Sequence, residues 1–292
     1  MPVSLPPALE LSLDLLRCPT CRTRHLHPGR GALRCPVGHT FDIARHGYAG
    51  LLTGNRATSG DDAAMVQARN RFLSTGAYAP LREAVGRLAE GTVAEKATVV
   101  DVGCGTGYYL AGVLDQLPGA RGLGLDTSVR ALRSAARAHR RAAAVAWDVF
   151  RPFPLADGVA DVVLDVFAPR NPAEFHRVLR PTGRLIVARP SERHLAELRE
   201  RLPAMVTIDP AKEQRLHRAL GPFFEATGTE EVEYPASLTG LDARDLVAMT
   251  PSARHVSRAD LSGDGLLPIQ VTVSVLVTAY QPRWPGAGAC SC

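Results

Sequence analysis

Residues 99–110, VVDVGCGTGYYL, decide the fold of this chain. Two valines lead into Asp101, and glycines follow at alternate positions, Gly103, Gly105 and Gly107. The apolar run predicts a buried strand, and the glycines predict a turn in which the backbone adopts unusual dihedral angles or approaches a ligand closely. A helix is expected directly after the last glycine. Strand, glycine turn and helix start together predict a corner that binds a nucleotide-like ligand.

The acid in this corner indicates the charge of the ligand. A carboxylate at Asp101 would repel a pyrophosphate, but it suits S-adenosylmethionine, which carries an ammonium and a sulfonium group and no phosphate. Asp126 ends the next predicted strand, 19 residues after Gly107, the distance at which an acid meets ribose hydroxyls in this type of fold. Asp148 ends the third predicted strand and suits the adenine amino group. The alternative is that all three acids are structural.

Strand and helix signals alternate regularly along the chain. Strands are predicted at 122–125, 143–146, 159–166, 184–188, 228–234 and 269–280, and helices at 63–73, 80–89, 108–117, 128–141, 172–179 and 243–249, with a turn at 181–183. Asp61 or Asp62 should cap the first helix. The last two strands should close the sheet as a hairpin pair. This succession predicts an α/β fold with a Rossmann-like, doubly wound parallel sheet and ligands beyond the carboxyl ends of its strands.

A second chemical signature lies near the N-terminus. Cys18-Pro-Thr-Cys21 and Cys35-Pro-Val-Gly-His39 are two short-spaced ligand pairs separated by a loop, a spacing typical of a tetrahedral Cys3His zinc site. Four protein ligands leave no open coordination position, so this zinc is expected to be structural. Other histidines that could supply the fourth ligand are His25, His27 and His46. Three free buried cysteines are the alternative.

The positive charge of the chain is carried by arginine. The 292 residues have a formal net charge of +5, and Lys96 and Lys212 are the exceptions among 34 basic residues. Between residues 17 and 56 there are seven arginines and one acid, Asp42. A small zinc-binding module with this bias predicts contact with nucleic acid, because the planar guanidinium suits phosphate. Docking on its own protein is the alternative, and the two roles are compatible.

Cysteine usage and hydropathy indicate the compartment. The six cysteines fall into three separated groups that do not form a natural disulfide framework, which favours a reducing environment. The sequence has no apolar run of about 18 residues and no basic-then-apolar leader, so neither a membrane span nor a signal peptide is predicted. We therefore predict a cytoplasmic protein without membrane contact.

Short motifs that carry a family resemblance are spread over most of the chain. They are the set Cys18, Cys21, Cys35 and His39, then Phe41-Asp42, Gly47-Tyr48, Leu51-Leu52, residues 65–69, Phe72-Leu73, residues 76–81, GCGTGYY, Gly124-Leu125-Asp126, Ala168-Pro169, Arg193-His194-Leu195 and Met249-Thr250-Pro251. The glycine turn with Asp126 resembles that of class I S-adenosylmethionine-dependent methyltransferases. The whole chain is similar to the 23S rRNA (guanine-N1)-methyltransferases, a family that includes the tylosin-resistance enzymes of actinomycetes.

This resemblance implies a function and a set of contacts. The family transfers a methyl group from S-adenosylmethionine to N1 of a guanine in a 23S rRNA hairpin, which for the tylosin-resistance type protects against macrolides. It implies zinc at the cysteines and the histidine, RNA recognition by the zinc-binding module, and a homodimer whose cleft accepts the hairpin. The cofactor contacts it implies fall on Tyr78, Gly105, Thr106 and His194. The sequence has Thr106 where some relatives have an acid, and Phe167 where a tyrosine can occur.

Four segments are expected on this basis. They are a zinc-binding RNA-recognition domain at 1–56, a helical linker region at 57–96, a methyltransferase domain at 97–284 and a disordered tail at 285–292.

Guanine N1 carries a proton and lies on the pairing edge, so the base must be unpaired or flipped, and the proton needs an acceptor. Asp165, near the end of the fourth predicted strand, is the candidate acceptor, and a structural carboxylate bonded to the following loop is the alternative. Residues 167–171 are expected to form the floor of the base pocket, with Phe167 stacked on the guanine. Arg69 and Arg71 are expected to contact RNA.

Arginines also recur along one predicted helix. Arg130, Arg133, Arg137 and Arg140 share a face, which is a phosphate track or, as we favour from the sequence, a solvated surface.

The sequence also permits two rival functions. One is a methyltransferase for small molecules, which the fold permits and the basic module disfavours. The other is a zinc-containing RNA-binding protein without activity, which the three-acid pattern disfavours.

Overall fold

The computed structural model describes residues 5–22, 25–52, 61–91, 96–206, 211–256 and 270–284. Its helices are α1 (Pro7–Glu10), α2 (Ala63–Ser74), α3 (Ala79–Glu90), α4 (Tyr108–Gln116), α5 (Val129–Ala138), α6 (Pro172–Val178), α7 (Ala196–Arg201), α8 (Ala211–Leu220) and α9 (Gly240–Ala248). Its strands are β1 (His27–Gly29), β2 (Ala32–Arg34), β3 (Thr40–Asp42), β4 (Ala49–Gly50), β5 (Thr98–Val102), β6 (Arg121–Asp126), β7 (Ala142–Ala146), β8 (Ala160–Val166), β9 (Leu179–Pro190), β10 (Phe224–Ser237) and β11 (Gln270–Pro282).

The main sheet confirms the predicted doubly wound architecture. Its strand order is β10-β11-β9-β8-β5-β6-β7-β4. The strands from β9 to β4 in this order pair in parallel, and β11 and β10 add an antiparallel pair at the far edge. Every residue of β5 and of β7 is buried, because helices cover both faces of a parallel sheet. The carboxyl ends of β5, β6, β7 and β8 therefore meet at one edge.

Helix starts follow the predicted capping chemistry. Asp62 is the N-cap of α2, and its side chain accepts a hydrogen bond from the Met65 amide at 2.9 Å. Ser128 plays the same part for α5, accepting from the Ala131 amide at 3.3 Å. Since these caps satisfy amides that have no partner inside the helix, they fix where each helix begins after its loop.

The structure corrects two predicted boundaries. The helix expected at 128–141 ends at Ala138, and the Arg141 guanidinium instead donates to backbone carbonyls at the end of α4, including Leu117 O at 2.7 Å. The turn expected at 181–183 lies inside β9. Leu179 pairs with Ala160 of β8, the next paired residue of β9 is Arg184, and the residues between them form an irregularity in the strand. Helices α1, α7 and α8 were not expected, since their sequences lack an extended apolar period.

The N-terminal module, residues 5–52, is built into the main sheet. Its first two strands form the expected hairpin between the cysteine pairs. Its last strand, β4, pairs in parallel with β7 and becomes the eighth strand of the sheet. Leu16 forms an antiparallel β-bridge with Leu155. The Asp14 carboxylate accepts hydrogen bonds from both terminal guanidinium nitrogens of Arg121, each at 2.7 Å. Leucines of the module share one hydrophobic core with β5, β6 and β7, so docking on its own protein, the alternative raised above, takes place.

Parts of the expected segments lie outside the described residues. The tail at 285–292, with Cys290 and Cys292, is among them, as are residues 53–60 between the module and α2. In the described ranges, no helix is long and apolar enough to cross a membrane.

The shared core predicts the effect of a cavity at the junction. Leu16 is 0% exposed, so Leu16→Ala should lower the free energy of unfolding by about 2–5 kcal/mol through lost transfer energy and the cavity left behind. Urea unfolding monitored by circular dichroism measures this change. The matched control is Leu11→Ala, since Leu11 is 58% exposed and its truncation should change stability by less than about 0.5 kcal/mol. Equal effects of the two substitutions would contradict a shared core.

Candidate functional site

The glycine turn after β5 forms a close-fitting backbone cradle. Gly103 and Gly107 have φ values of 75° and 82°, a region that residues with a side chain rarely adopt. A Cβ atom at Gly103 would lie 2.6 Å from the Cβ of Ala168, and one at Gly107 would lie 2.9 Å from the Cβ of Ala138. Glycine is therefore required at both positions, and the turn leaves α4 with its N-terminus toward the carboxyl edge of the sheet.

Asp126 is fixed by backbone amides at the end of β6. Its Oδ2 accepts from the Gly105 amide at 2.8 Å, and its Oδ1 accepts from the Ser128 amide at 2.7 Å. Each carboxylate oxygen has two lone pairs, so the second lone pair of each oxygen stays available to a ligand hydroxyl. The carboxylate thus ties the glycine turn to the start of α5 and keeps acceptor capacity for a ribose.

Two buried carboxylates make this corner electrostatically unusual. Asp101 is 2% exposed, and burial, with the neighbouring charges of Asp126 and Asp165, raises its pKa to about 8. Burial also raises the pKa of Asp126, against the lowering effect of its two amide donors. A desolvated pair of acids is destabilising until a positive charge arrives. The corner therefore fits a cationic ligand and rejects a phosphate.

The remaining positions expected near the cofactor are at the same edge of the sheet or beside it. Thr106 is buried in the glycine turn. Asp148 follows β7 by two residues, and its Oδ1 accepts from the Phe150 amide at 3.0 Å. The Asp148 carboxylate is half-buried, which leaves it accessible from the carboxyl edge.

Tyr78 and His194 lie together, although 116 residues separate them in the sequence. The Tyr78 Oη to His194 Nε2 distance is 3.4 Å, and the Ser274 amide donates to His194 Nδ1 at 3.3 Å. Burial, with the charge of Arg199, lowers the pKa of His194 to about 4, so the ring is neutral at neutral pH. Because Nδ1 accepts, the ring proton is on Nε2, facing Tyr78. The tyrosine hydroxyl can then direct its own proton elsewhere.

Phe167 lies beside this pair in a strained conformation. It directly follows β8, its φ is 55°, and its side chain is 40% exposed. Its ring stacks on His194 with 6.1 Å between centroids and 28° between planes. A left-handed conformation at a residue with a side chain costs about 1–3 kcal/mol and is concentrated at functional sites. An exposed aromatic face held this way is suited to stacking on a base.

Asp165 has contacts that favour its structural alternative. The carboxylate is 0% exposed, and its Oδ2 lies 2.9 Å from Arg170 Nε in the loop that follows β8. The ion pair with the guanidinium engages an oxygen that a proton acceptor would have to offer to the guanine. The pair also fixes residues 167–170 beside the corner.

Arg69 and Arg71, in the region expected to contact RNA, also have partners within the protein. Arg69 pairs with Asp61 at 2.6 Å and donates to the Met249 carbonyl at 2.8 Å. Arg71 makes a two-point ion pair with Asp245 at 2.6 and 2.7 Å. Both guanidinium groups fasten α2 to the region of α9. The local sequence carries no sign of partners so far away.

The four expected metal ligands form a cluster in the N-terminal module. The ligand atoms of Cys18, Cys21, Cys35 and His39 all lie within 4.8 Å of one another. Cys21 Sγ is 3.5 Å from Cys35 Sγ, and Cys18 Sγ is 3.5 Å from His39 Nδ1. Tetrahedral zinc with bonds of about 2.3 Å to sulfur holds its ligand atoms at nearly this spacing. Three thiols and one imidazole are a donor set that zinc prefers, and the fit is good.

Comparisons with known proteins agree with both halves of this geometry. The family model described as "Methyltransferase domain" matches residues 94–234, and the one described as "RlmA, N-terminal", a zinc ribbon, matches residues 16–59. A Micromonospora griseorubida protein named as a 23S rRNA (guanine-N1)-methyltransferase is 43% identical over 291 residues, covering 92% of this chain and 98% of that relative. The chain belongs to the 23S rRNA (guanine-N1)-methyltransferase family.

Two further members of this family extend the comparison. The Streptomyces fradiae protein named 23S rRNA (guanine(748)-N1)-methyltransferase is 43% identical over 272 residues, covering 91% of this chain and 96% of the relative. A Bacillus subtilis protein named as a 23S rRNA (guanine-N1)-methyltransferase is 35% identical, covering 65% of this chain and 69% of the relative. The resemblance found in the sequence is thus confirmed. The chain is an S-adenosylmethionine-dependent methyltransferase with a zinc ribbon at its N-terminus.

Burial of Asp101 predicts that this acid lowers the stability of the cofactor-free protein at a pH where it is charged. An acid whose pKa is raised in the folded state from 3.8 to about 8 stabilises the fold below pH 4, and this contribution is lost as pH rises through 8. Asp101→Asn should therefore raise the stability of the cofactor-free protein by a few kcal/mol at pH 8 and leave it little changed at pH 4.

Thermal unfolding from pH 4 to pH 9 measures this difference. Glu90→Gln, which changes an exposed acid at the end of α3, is the matched control and should follow the parent curve. A variant that is less stable than the parent at pH 8 would show that Asp101 is satisfied without a ligand.

Proposed function

We propose that this protein transfers a methyl group from S-adenosylmethionine to N1 of one guanine in a 23S rRNA hairpin. The observation that carries this is the combination of a cation-binding acidic corner with an arginine-rich zinc module built into the same sheet. The corner accounts for the methyl donor, and the module accounts for an RNA substrate. Family membership supports the same reaction, since relatives similar over nearly their whole length are named for it.

The cofactor contacts are proposed residue by residue. Asp101 faces the positive charge of the methionine part, Asp126 accepts from the ribose hydroxyls, and Asp148 accepts from the adenine amino group. The cradle of Gly103, Gly105, Thr106 and Gly107 supplies close backbone contact. Tyr78 and His194 complete the pocket, with the imidazole proton directed at the tyrosine oxygen and the phenol proton free for the ligand. Asp101, Asp126 and Asp148 lie at or just past the carboxyl ends of β5, β6 and β7, which supports this assignment.

The reaction is mainly a matter of positioning. When bound, S-adenosylmethionine supplies an electrophilic methyl group on a positively charged sulfur. The protein has to hold the guanine so that N1 approaches the methyl carbon in line with the leaving sulfur, and such orientation supplies much of the rate enhancement. The guanine must leave its stack, and the exposed ring of Phe167 offers a surface on which it can restack. The strained backbone of Phe167 keeps that ring at the mouth of the corner.

The proton on N1 requires an acceptor, and Asp165 is the proposed one. Its ion pair with Arg170 means that it can take a proton only after the guanidinium has moved. The structural role, in which Asp165 and Arg170 hold the loop under the base, accounts for the observed contact without such a movement. An Asp165→Asn variant distinguishes the two roles. If Asp165 accepts the proton, raising the pH should restore the methylation rate of the variant, because the N1 proton then leaves without a base. If Asp165 is structural, raising the pH should not restore that rate.

We propose further that the zinc ribbon, with zinc held by Cys18, Cys21, Cys35 and His39, contacts the rRNA hairpin. A homodimer and a cytoplasmic location are proposed from the family resemblance. Resistance to macrolides of the tylosin type is the proposed biological effect. Light scattering of the purified protein tests the dimer, and growth of a susceptible host on tylosin tests the resistance.

Methylation of an rRNA hairpin is the direct test of the proposed function. The zinc-loaded protein should transfer labelled methyl groups to the hairpin, and the modified guanine should stop primer extension because an N1-methyl group blocks pairing. The name of the Streptomyces fradiae relative specifies guanine 748, which makes that position the first to map.

Asp126→Asn should bind the methyl donor about 10- to 100-fold more weakly, since a hydrogen bond to a charged group contributes about 1.5–3 kcal/mol.

The outcomes of this test separate the rival functions. Absence of any binding heat with S-adenosylmethionine would overturn both methyltransferase functions and leave an inactive RNA-binding protein. Methyl transfer to small phenols or amines, with the hairpin left unmodified, would favour the small-molecule enzyme. The Asp126→Asn result is compared with Glu90→Gln, which should bind the methyl donor as the parent does.

Removal of a zinc ligand should separate the two halves of the function. Cys35→Ser should reduce the bound zinc and the affinity for the hairpin at least tenfold, because the ribbon cannot close without its metal. Affinity for S-adenosylmethionine should remain within about twofold of the parent, since the acidic corner does not depend on these ligands. Elemental analysis and calorimetry measure the two effects. Cys104→Ser, which changes a buried cysteine outside the ribbon, should retain its zinc. A Cys35→Ser protein that methylates the hairpin at the parent rate would contradict the role of the ribbon.

A further inference from the structure

Helix α5 carries a row of exposed arginines to which the proposed function assigns no role. We call Arg130, Arg133 and Arg137 the α5 basic face; Arg140, which the sequence predicts on the same face, follows the end of the helix at Ala138. All three side chains are exposed, and the opposite side of the helix is buried through Ala131, Leu132 and Ala135. Residues three and four apart lie above one another on a helix, so these guanidinium groups form a line. The sequence alone favoured a solvated surface here, and the exposure agrees with that.

The N-terminal module extends this line. A turn at residues 44–48 of the module packs near α5: Tyr48 and Ala136 pack against the same hydrophobic cluster, and a Cβ atom at Gly47 would lie 3.7 Å from the Cβ of Ala136. Arg45 and His46 are in this turn, and Arg45 Nε donates to His46 Nε2 at 3.3 Å. Burial first, and then the charges of Arg133, Arg45 and Arg137, lower the pKa of His46. The positive charges of the module and of α5 therefore act on one patch of surface.

The arginines of this patch differ from others in the described residues. Arg69, Arg71, Arg121 and Arg177 each pair with an acid, and these pairs fasten one element to another. Among the described residues, no acid forms an ion pair with any arginine of the α5 basic face. Leaving several like charges exposed side by side is repulsive, so the arrangement is unfavourable unless a polyanion neutralises it.

We propose that the α5 basic face and the turn at Arg45 and His46 form a track for the phosphodiester backbone of the RNA substrate. The proposal rests on the proposed function and adds to it the surface along which the hairpin lies. The track runs from the zinc ribbon to the cofactor pocket, because the amide of Ser128 at the start of α5 already binds Asp126.

The dimensions of the track suit a nucleic acid strand. Arg130 and Arg137 are about 10 Å apart along the helix axis, so Arg130, Arg133 and Arg137 place a positive charge about every 5 Å. This is on the scale of the roughly 3.4 Å axial rise per phosphate in one strand of a duplex. Contacts of this kind position the substrate and do not read its sequence, whereas the base pocket selects the guanine.

The test is a double substitution, Arg133→Gln with Arg137→Gln, in the zinc-loaded full chain. Its dissociation constant for a labelled rRNA hairpin, measured by fluorescence anisotropy, should rise about tenfold at 0.1 M salt. The slope of log affinity against log salt should become shallower by about 1–2, because two phosphate contacts are lost. Affinity for S-adenosylmethionine should not change, and methylation should show a raised KM for RNA with a nearly unchanged kcat.

Two matched variants control for charge and for folding. Arg215→Gln with Arg218→Gln removes the same charge from exposed positions on α8, next to the opposite edge of the sheet, and should bind RNA within about twofold of the parent. Arg133→Lys with Arg137→Lys keeps the charge and should keep the parent salt slope. If the α8 and α5 glutamine variants lose affinity equally, or if neither loses any while the parent methylates the hairpin, the track is wrong. A parent that neither binds nor methylates the hairpin would overturn the proposed function itself.

Discussion

Carboxylates buried at the carboxyl edge of a parallel sheet are the constraint on which this structure depends. Asp101 is buried one residue before the end of its strand, and Asp126 is held by the amides of Gly105 and Ser128. Both acids have raised pKa values because water is excluded from them. Two backbone amides hold Asp126 in place, and a cationic methyl donor would stabilise the charged forms of both acids. The cost in stability of the empty corner and its affinity for the cofactor therefore have one physical origin.

The zinc ribbon is attached to this corner through the sheet itself. Its last strand, β4, extends the sheet beside β7, and its leucines join the hydrophobic core beneath β5 and β6. A module held by a strand and a core has little freedom to change its orientation. The proposed RNA-contacting surface and the proposed cofactor pocket are thereby kept at a fixed distance, which is what an in-line transfer to one chosen guanine requires.

Arginine serves two opposite purposes in this protein. Arg71 pairs with a buried Asp245, and Arg141 donates to carbonyls at the end of α4, so these guanidinium groups stabilise contacts between elements. The arginines of the α5 basic face have no such partner among the described residues and stay at the surface. The sequence did not show the internal partner of Arg71, because an arginine looks the same whether its acid lies nearby or in a distant helix. Arg71 and Asp245 are 174 residues apart.

Local spacing was enough to predict the glycine corner, the alternation of strands and helices, the capping of α2 and the four ligands of the zinc cluster. These features depend on residues that are close in the sequence, and the zinc cluster needs only two short-spaced pairs joined by one hairpin. The meeting of Tyr78 with His194, the strained ring of Phe167 beside them, the ion pair of Asp165 and the addition of β4 to the sheet were decided by the tertiary structure. They join parts of the chain that are far apart, and packing of the whole core, rather than any local pattern, brings them into contact.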